Sequence, residues 1–540
     1  MGCMTGGRFV ILIIKGTDAG SFRRRVLVRK LLLASIALLS IFSNGILAQK
    51  PKPATSKSPA ATAAPRPAYA IPFVSKTLPN GLEVIVLQDT SVPIVTVELA
   101  VRNGSFTEPL EFNGLSHLYE HMFFKPNFAV QIYGCEHAAR GMGFAVNPGC
   151  VKALAMKSKI GDTSYLKDAD EVSIYNGTTN EEIVNYFFNT TSQYLPTAIR
   201  FINDSVRYPS FGEEDFENEK RVVIGELDRH EANPYGYLDL TMTQKLFYKY
   251  PTRKQPAGTR ETVAAATTDM MRTIQSRYYV PNNAALIVTG DAKPDEVFKL
   301  AEQIFGSWER RPVDPFKDFP LVDHPPLQKS EAVIIEKTAT GEEGADQGQN
   351  VFVEIGWLGP SIGKDDAATY AADVFSYIIT QPDARFERKL VDSGLSASTG
   401  FSYYTQRNVG PIKLLAVTTP EKAKQFLAAT YAEINDFTRP DYFTDEELES
   451  AKTLLETSDL FNREKASEYA HTLSFWWSST GIEYFRNYHA KLRAVTRADI
   501  NRYIKTYIQG KNHVAITLAS PDAKKRAGLT EQDLIGGGAQ

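Results

Sequence analysis

Short runs of aliphatic and β-branched residues alternate with amphipathic helical segments through most of the chain. The first two strand candidates read LPNGLEVIVLQD (78–89), which begins with an Asn-Gly turn, and VPIVTVELAVRNG (92–104). Helical patterns start at Gly114, cover Glu213–Glu231 and Thr268–Tyr279, and recur in PDEVFKLAEQIFGSW (294–308) after the strand candidate NNAALIVTGD (282–291). This mixed order of strands and helices predicts an α+β fold.

The closing part of this pattern occurs twice. DMMRTIQSRYYVPNNAALIV (269–288) aligns with DINRYIKTYIQGKNHVAITL (499–518) at a constant offset of 230, and an acidic helix near 214–231 has a counterpart near 444–461. Such self-similarity predicts an internal duplication into two related α/β-sandwich-like domains. We place them at 71–311 and 332–540, joined by a Pro-rich linker over 312–331.

The segment 1–70 differs sharply in charge from the rest of the chain. It holds eleven basic residues and one acid, so 49 of the 60 basic and 62 of the 63 acidic residues remain in 71–540. A basic head on an acidic body indicates a targeting segment before a globular protein. It argues against a nucleic-acid binder, whose folded part would carry the positive charge.

This head has the layout of a signal peptide over 1–48. RRRVLVRK (23–30) precedes the apolar run Leu31–Phe42 and a small-residue exit ending at Ala48, and a Pro/Ala/Ser-rich tether follows over 49–70. Since a bilayer needs about 20 apolar residues, we expect no stable membrane span after cleavage and a periplasmic or extracellular protein. The alternatives are an uncleaved signal anchor and, less favoured, a mitochondrial presequence.

The pattern Gly-Leu-Ser-His-Leu-Tyr-Glu-His at 114–121 carries the strongest chemical signal. His117 and His121 are four residues apart, so on a helix both rings project from one face, as two ligands of a tetrahedral zinc require. Glu120 lies on the same side, where it can reach a water rather than the metal. The chain therefore has a candidate metal site with a candidate general base.

A third ligand is expected from the acidic helix FENEKRVVIGELDRHEANP (216–234). Glu219 and Glu226 are seven residues apart on one face, around the apolar Val222, Val223 and Ile224. Glu226 lies in this apolar stretch, where an unpaired carboxylate is costly. His230, four residues further on, is the rival ligand. Spacing alone favours Glu226 only narrowly.

These segments resemble the M16 zinc metallopeptidases (pitrilysin, insulinase and processing-peptidase types), in which His-x-x-Glu-His reverses the usual zinc-protease order. The resemblance covers about residues 72–525 and implies a fold of the LuxS/MPP-like metallohydrolase type. The matching segments are LPNGLEVIVLQD, the Gly-Leu-Ser before His117, EKRVVIGEL (219–227), YVPNNAALIVTGD (279–291) and ARFERKLVDSGLSASTGFSY (384–403).

The resemblance implies a role for each candidate residue. His117, His121 and Glu226 would bind one zinc ion per chain, Glu120 would be the general base, and Glu219 would support the site from behind a ligand. Asn176, in an Asn-Gly-Thr-Thr segment, would belong to an edge strand on which the peptide substrate adds as a further strand.

The resemblance also implies that the second domain contacts the substrate and that the chain pairs with a second chain. Arg385 and Tyr403 would contact the substrate, although Val391 stands where we expect an arginine. Chains of this size in the family pair with another, so we expect a homodimer or a heterodimer with another M16-like chain. The histidines of the second half, His471, His489 and His513, stand outside any zinc motif and are interpreted as structural.

One segment departs from the family pattern. Residues from about 127 to 158 have no counterpart and separate Glu226 from the histidines more widely than expected. We interpret them as an inserted loop that could cover the cleft. Cys135 and Cys150 are candidates for a local disulfide after export, and Cys135 with His137 is a weakly supported alternative metal pair.

The leading hypothesis is an exported zinc-dependent endopeptidase that hydrolyses peptides or small unfolded proteins, with Glu120 assisting attack by zinc-activated water. The alternative is a non-catalytic M16-like binding or assembly subunit that partners an active homologue, which the intact zinc motif disfavours. A purely structural zinc conflicts with Glu120, because a closed site needs four ligands and no base.

Overall fold

The computed structural model describes residues 69–129, 173–248, 255–320, 324–337 and 349–536. These residues pack into one compact unit. The predicted signal peptide, most of the predicted tether, and Cys135, His137 and Cys150 of the predicted insert lie outside the described residues. Within the described ranges, every helix is too short or too polar to cross a bilayer.

The first half is built on a six-stranded sheet with the order β1-β2-β6-β3-β5-β4. All neighbouring strands are antiparallel except β2 and β6, and β4 forms one edge. The strands are β1 (Val74–Thr77), β2 (Glu83–Gln88), β3 (Ile94–Val101), β4 (Ser173–Thr179), β5 (Val184–Thr191) and β6 (Ala284–Gly290).

The second half repeats this topology in a five-stranded sheet with the order β7-β11-β8-β10-β9. As in the first sheet, a single parallel pair, β7 with β11, adjoins antiparallel neighbours. The strands are β7 (Glu331–Glu336), β8 (Val351–Leu358), β9 (Ser398–Tyr403), β10 (Pro411–Thr418) and β11 (Val514–Ala519). The predicted α+β fold with an internal duplication is therefore confirmed.

Helices cover both faces of the sheets. In the first half they are α1 (Leu115–Phe123), α2 (Leu195–Arg207), α3 (Glu213–Ala232), α4 (Pro234–Leu246), α5 (Arg260–Ala265), α6 (Thr268–Tyr278), α7 (Pro294–Phe305) and α8 (Pro315–Asp318). In the second half they are α9 (Asp366–Ile379), α10 (Arg385–Glu387), α11 (Ala423–Asp436), α12 (Asp445–Asn462), α13 (Ala466–Ser479), α14 (Ile482–Arg486), α15 (Tyr488–Ala494), α16 (Arg497–Tyr507), α17 (Pro521–Ala527) and α18 (Glu531–Leu534).

The predicted offset of 230 holds for only part of the repeat. The starts of strands β6 and β11 agree with it, but the start of the acidic helix α12 lies two positions beyond the place that it predicts from α3. Matching contacts support the larger shift: Lys220 pairs with Glu217 in α3, and Lys452 pairs with Glu449 at the equivalent places in α12. At this larger shift Ser458 stands where Glu226 stands in the first half, so the second half lacks that carboxylate.

Each half lends one helix to the sheet of the other. Helix α4 packs against the second sheet, where Leu238 and Met242 join a cluster with Phe352 and Ile516. Helix α13, the counterpart of α4 at the larger shift, packs in turn against β3 and β6 of the first sheet. Both faces of each sheet are thereby covered, which explains why β6 is buried along its whole length and is apolar except at Thr289.

The predicted domain bounds remain predictions. The strands of the first sheet end at Gly290 and those of the second begin at Glu331, one residue inside the predicted linker. Helix α8 lies within that linker, and its Asp318 pairs at 2.8 Å with Arg311, the last residue of the predicted first domain.

Candidate metal centre

Helix α1 carries the histidine motif and is buried at every residue. It follows Gly114, whose φ of 94° and close approach to the backbone of Ala257 require glycine. A carboxylate outside the helix, Glu108, accepts hydrogen bonds from the backbone N–H of Gly114 (3.0 Å) and Ser116 (2.7 Å). Glu108 thus stabilises the helix start, where unpaired N–H groups and the helix dipole favour negative charge.

Helix α3 supplies the facing carboxylates. Glu226 is 5% exposed, and Val223 and Leu227 beside it belong to the buried core. The expectation that Val222 shares this apolar environment is wrong, because it lies on the outer side of the helix and is 42% exposed. The buried stripe of α3 therefore consists of positions 216, 220, 223, 226 and 227.

The ligand atoms of His117, His121 and Glu226 lie within 4.8 Å of one another. Oε2 of Glu226 is 3.5 Å from Nε2 of His117 and 3.6 Å from Nε2 of His121. Ligands of a tetrahedral zinc with Zn–N bonds of roughly 2.0–2.1 Å are roughly 3.4 Å apart. Among the described residues, this is the only group of three or more His, Cys, Asp or Glu side chains gathered so closely.

The fit to a cation also follows from polar groups that the protein leaves unpaired. Oε2 of Glu226 is buried and has no hydrogen-bond partner within the described part of the chain. A buried carboxylate oxygen without a partner is costly, and a cation between it and the two rings would compensate that cost. The residues present therefore fit a zinc ion held by two imidazoles and one carboxylate, with a fourth position open.

Glu219 orients one of the two rings. Nδ1 of His121 donates a hydrogen bond to Oε2 of Glu219 at 2.9 Å, which leaves Nε2 directed at Glu226. Lys125 forms an ion pair with the other oxygen of Glu219. A carboxylate behind a metal-binding histidine fixes the ring orientation and makes the ring a stronger ligand.

Burial is the largest influence on the pKa of each group at this site. It lowers the pKa of His117 to about 3, with the charge of His121 adding to the effect, and it raises the pKa of Glu120 to about 7. Burial also disfavours a charged His121, but its contacts with the carboxylates of Glu219 and Glu226 outweigh this and raise the pKa of His121 to about 10. His117 is therefore neutral near pH 7, whereas His121 would have to lose a proton before it could bind a metal.

The pKa values of the two carboxylates of α3, Glu219 and Glu226, are lowered, in contrast to that of Glu120. Burial raises the pKa of each, but hydrogen bonds from His121 and Lys125 lower the pKa of Glu219 to about 2. The proximity and charge of His121 likewise hold the pKa of Glu226 below its usual value. Both groups are thus ionised near neutral pH, the form that a cation requires.

Glu120 lies between this group and the edge strand β4. Its Oε2 is 3.9 Å from Nε2 of His117 and accepts a hydrogen bond from Oγ1 of Thr179 at 2.9 Å. A Cβ added at Gly177 would lie 2.6 Å from Cγ of Glu120, so the strand can approach the carboxylate only because residue 177 is glycine. Asn176 is in the same strand, where its Oδ1 accepts from the backbone N–H of Gly177.

The remaining candidates lie outside this group. The ring of His230 packs against Gly236 and is 3.5 Å from Nε2 of Gln255, one helical turn beyond Glu226. In the second half, Arg385 pairs with Glu433 and Asp436 of α11, and the hydroxyl of Tyr403 donates to the carbonyl of Pro360 at 3.0 Å.

Sequence reasoning did not single out three supporting residues. Lys125 follows His121 by four residues, a spacing that could have indicated that both contact the carboxylate of Glu219. Thr179 was within the Asn-Gly-Thr-Thr segment, but only the sheet shows that it faces Glu120. Glu108 gave no periodic signal, because its contacts cross an irregular loop.

Comparison with known proteins matches both halves to one family. The Insulinase (Peptidase family M16) model matches residues 83–141 and 164–259, and the Peptidase M16 inactive domain model matches 265–455. The interruption between 141 and 164 overlaps the insert predicted at about 127–158.

Curated relatives carry zinc protease names. The zinc protease PqqE of Helicobacter pylori is 20% identical over 448 residues, covering 82% of this chain and 92% of the relative. The uncharacterized zinc protease YmxG of Bacillus subtilis is 23% identical over 391 residues, covering 72% of this chain and 84% of the relative. These names support a peptidase at the level of the family.

Solved structures share the fold. A protease from Helicobacter pylori superposes with a TM-score of 0.68 at 19% identity, over 83% of this chain and 99% of that one. The first half of the periplasmic protease PqqL from Escherichia coli gives 0.61 at 14% identity, over 86% and 96%. Since the family models span both halves and the sheets repeat one topology, the chain belongs to the M16 family of peptidases.

Proposed function

We propose that this chain is a zinc-dependent endopeptidase that hydrolyses peptides or small unfolded proteins. The observation that carries the proposal is the position of Glu120. This buried carboxylate lies between the group formed by His117, His121 and Glu226 and the edge strand β4. A purely structural metal site has no use for a carboxylate in that position.

In this proposal His117, His121 and Glu226 hold one zinc ion, and Glu219 keeps His121 in the ligand orientation. When bound, zinc supplies a Lewis acid that polarises the scissile carbonyl and lowers the pKa of water. Glu120 accepts the proton of the attacking water and delivers it to the leaving amine, a role that contributes about 10²–10⁴ in rate. Thr179 holds the Glu120 carboxylate by donating to Oε2.

The substrate is proposed to bind along β4. This strand pairs with β5 on one side and with no strand on the other within the described part of the chain. An extended peptide can use such an edge through backbone hydrogen bonds, which suits substrates of varied sequence. Asn176 belongs to this edge and remains our candidate for contact with the substrate. Arg385 and Tyr403 remain proposals with weaker support, since both make hydrogen bonds within the second half.

Export and pairing complete the proposal. The signal-peptide pattern of residues 1–48 supports a periplasmic or extracellular location, with a signal anchor as the alternative and mitochondrial import as a less favoured one. PqqL from Escherichia coli, whose first half shares this fold, is a periplasmic protease, which is in line with export. We also propose that the chain acts as a homodimer or as a heterodimer with another M16-like chain.

The decisive experiment compares the wild type with Glu120→Gln. Residues 49–540 are purified, the zinc content is measured, and cleavage of unstructured peptides is assayed. We expect about one zinc per chain in both proteins and a loss of at least about a hundredfold in kcat for the variant. A zinc-loaded wild type that cleaves no peptide, even with a neighbouring homologue added, would contradict the enzyme and favour the non-catalytic subunit.

A second pair of variants tests the third ligand. Glu226→Gln removes the only carboxylate of the group and should weaken zinc retention, whereas His230→Ala should leave it unchanged because His230 packs away from the group. The opposite result would mean that His230 is the ligand.

A further inference from the structure

The turn that follows the edge strand β4 is tied to the second half of the chain. The carboxylate of Glu182, in the turn between β4 and β5, accepts hydrogen bonds from the backbone N–H groups of Arg407 and Asn408, both at 3.0 Å. Glu182 is only 3% exposed. Its neighbour Glu181 accepts from Nε2 of Gln406 at 3.2 Å. A buried carboxylate with both oxygens occupied is a strong and directional tie.

The loop that receives Glu182 is itself held in one conformation. It connects β9 to β10 and contains Val409, a β-branched residue with a positive φ of 50°. The N–H of Val409 donates to Oγ of Ser361 at 2.8 Å, and the N–H of Gly410 donates to the carbonyl of Pro360 at 3.0 Å. The two N–H donors at 407 and 408 are therefore presented from a rigid support.

The same turn also contacts the loop that precedes the metal-binding helix. The N–H of Phe106 donates to the carbonyl of Glu181 at 3.1 Å. A Cβ added at Gly104 would collide with the carbonyl oxygens of Asn180 and Glu181, so this packing depends on glycine. The turn between β4 and β5 is thus held between the first half on one side and the second half on the other.

A row of polar side chains forms a second tie across the sheet. Thr178, on β4, donates to Asn185 on β5, and Asn185 donates to Glu98 on β3. Glu98 is fully buried and also accepts from Ser474 of α13, while its second oxygen lies 2.6 Å from Nδ1 of His471. The row therefore runs from the edge strand to the helix that the second half lends to this sheet.

Successive residues of β4 face opposite sides of the sheet, so the row of polar side chains holds one face of the strand while the other face contacts Glu120. Thr178 faces the lent helix α13, and Thr179 faces α1, where it donates to Glu120. A displacement of β4 therefore changes the contact with Glu120 and the line of backbone groups that a peptide would pair with.

We propose that Glu182 is a positioning residue. Together with the row of polar side chains from Thr178 to His471, it lets the second half of the chain hold β4 in position relative to Glu120. Removing the carboxylate releases the turn between β4 and β5 while leaving the metal ligands in place. The inference rests on the proposed function only in treating β4 as the substrate strand.

The test compares Glu182→Ala with a matched control, Asp239→Ala. Asp239, on the lent helix α4, pairs with Lys413 of β10, so it also joins the two halves, but on the second sheet. Its place in α4 corresponds to that of His471 in α13 at the shift that relates these two helices. Glu182→Gln, which keeps one acceptor oxygen, and Thr178→Val, which keeps the shape, serve if Glu182→Ala does not fold.

Three readouts are collected on the zinc-loaded chain: hydrogen exchange of residues 173–183, zinc content, and KM and kcat for an unstructured peptide. In Glu182→Ala we expect exchange in 173–183 to accelerate about tenfold or more and KM to rise about tenfold, with zinc content unchanged. Glu182→Gln should fall between this variant and the wild type, and Thr178→Val should accelerate exchange in the same segment. Asp239→Ala should behave as the wild type in all three readouts.

Two results would overturn the inference: unchanged exchange in 173–183 for Glu182→Ala and Glu182→Gln, or an equal acceleration in Asp239→Ala. A wild type that cleaves no peptide would contradict the proposed function instead, and the exchange measurement would still decide whether Glu182 positions the strand.

Discussion

Replacement of Glu219 by glutamine tests whether the carboxylate behind His121 strengthens metal binding. Glu219 accepts a 2.9 Å hydrogen bond from Nδ1 of His121, and its side chain is 12% exposed, so solvent screens the contact little. Glutamine keeps an acceptor oxygen in the same place but removes the charge. The variant therefore isolates the charge from the hydrogen bond.

The expected magnitude follows from the strength of the two kinds of hydrogen bond. A hydrogen bond to a charged group contributes about 1.5–3 kcal/mol, and a hydrogen bond between neutral groups contributes about 0.5–1.5 kcal/mol. Glu219→Gln should therefore weaken zinc binding by about 1–1.5 kcal/mol, which is roughly a tenfold increase in the zinc Kd. Glu219→Ala removes the bond entirely and should raise the Kd by about 10–100-fold. In both variants Lys125 also loses the carboxylate that neutralises it.

The assay is competition for zinc with a chromogenic chelator over a series of pH values, from which the pH-independent Kd is obtained. A single pH is not enough, because Glu219 raises the pKa of His121 and its removal also weakens binding of the proton that competes with zinc. Glu217→Gln is the matched control: it removes the same charge from the same helix, but Glu217 is exposed and pairs with Lys220 instead. The reasoning is refuted if Glu217→Gln and Glu219→Gln bind zinc equally tightly.

Three further predictions concern single contacts. Gly177→Ala should lower kcat at least about tenfold with zinc content retained, because the new Cβ displaces the Glu120 carboxylate from its place; unchanged kcat would show that Glu120 can move freely. Glu108→Ala removes a buried carboxylate that accepts two hydrogen bonds from the backbone N–H groups at the start of α1, and it should lower the free energy of unfolding by about 2–4 kcal/mol in urea melts; a loss below about 0.5 kcal/mol would contradict this. Burial raises the pKa of Asp373 to about 7, although Tyr488 donates to it, so the folded chain keeps a proton there that the unfolded chain releases above about pH 4. The free energy of unfolding should therefore fall from about pH 4 to 7 by at most about 4 kcal/mol, and Asp373→Asn should flatten this fall; parallel pH profiles of the two proteins would count against it.

Much of the secondary structure followed from local pattern. The helix start predicted at Gly114 and the acidic helix predicted over 213–231 agree closely with α1 and α3. The i, i+4 spacing of His117 and His121 was enough to place both rings on one face, because that relation depends on helix geometry alone. The error at Val222 has the same origin, since spacing indicates a face but not which part of it is covered.

The third ligand could not be chosen from short-range sequence pattern alone. Glu226 and His230 occupy neighbouring turns of α3, and spacing favoured the first only narrowly. Packing of α3 against α1 brings Glu226 within 3.6 Å of both histidine rings and directs His230 towards Gln255. No sequence rule relates residues on two helices so distant along the chain, so the resemblance to M16 peptidases carried that choice until the structure gathered the three side chains.

Local pattern predicted the α+β class, several of the strands and helices, and the motif on α1, because periodicity acts within a few residues. The repeat at an offset of 230 added the internal duplication. Only the tertiary structure showed that the halves exchange helices α4 and α13, and that the turn after β4 rests on a loop of the second half. The exchange covers one face of each sheet, and it places Glu98 beside His471 although they belong to different halves of the chain. Such contacts are decided by which surfaces must be buried together, a property of the whole packed chain.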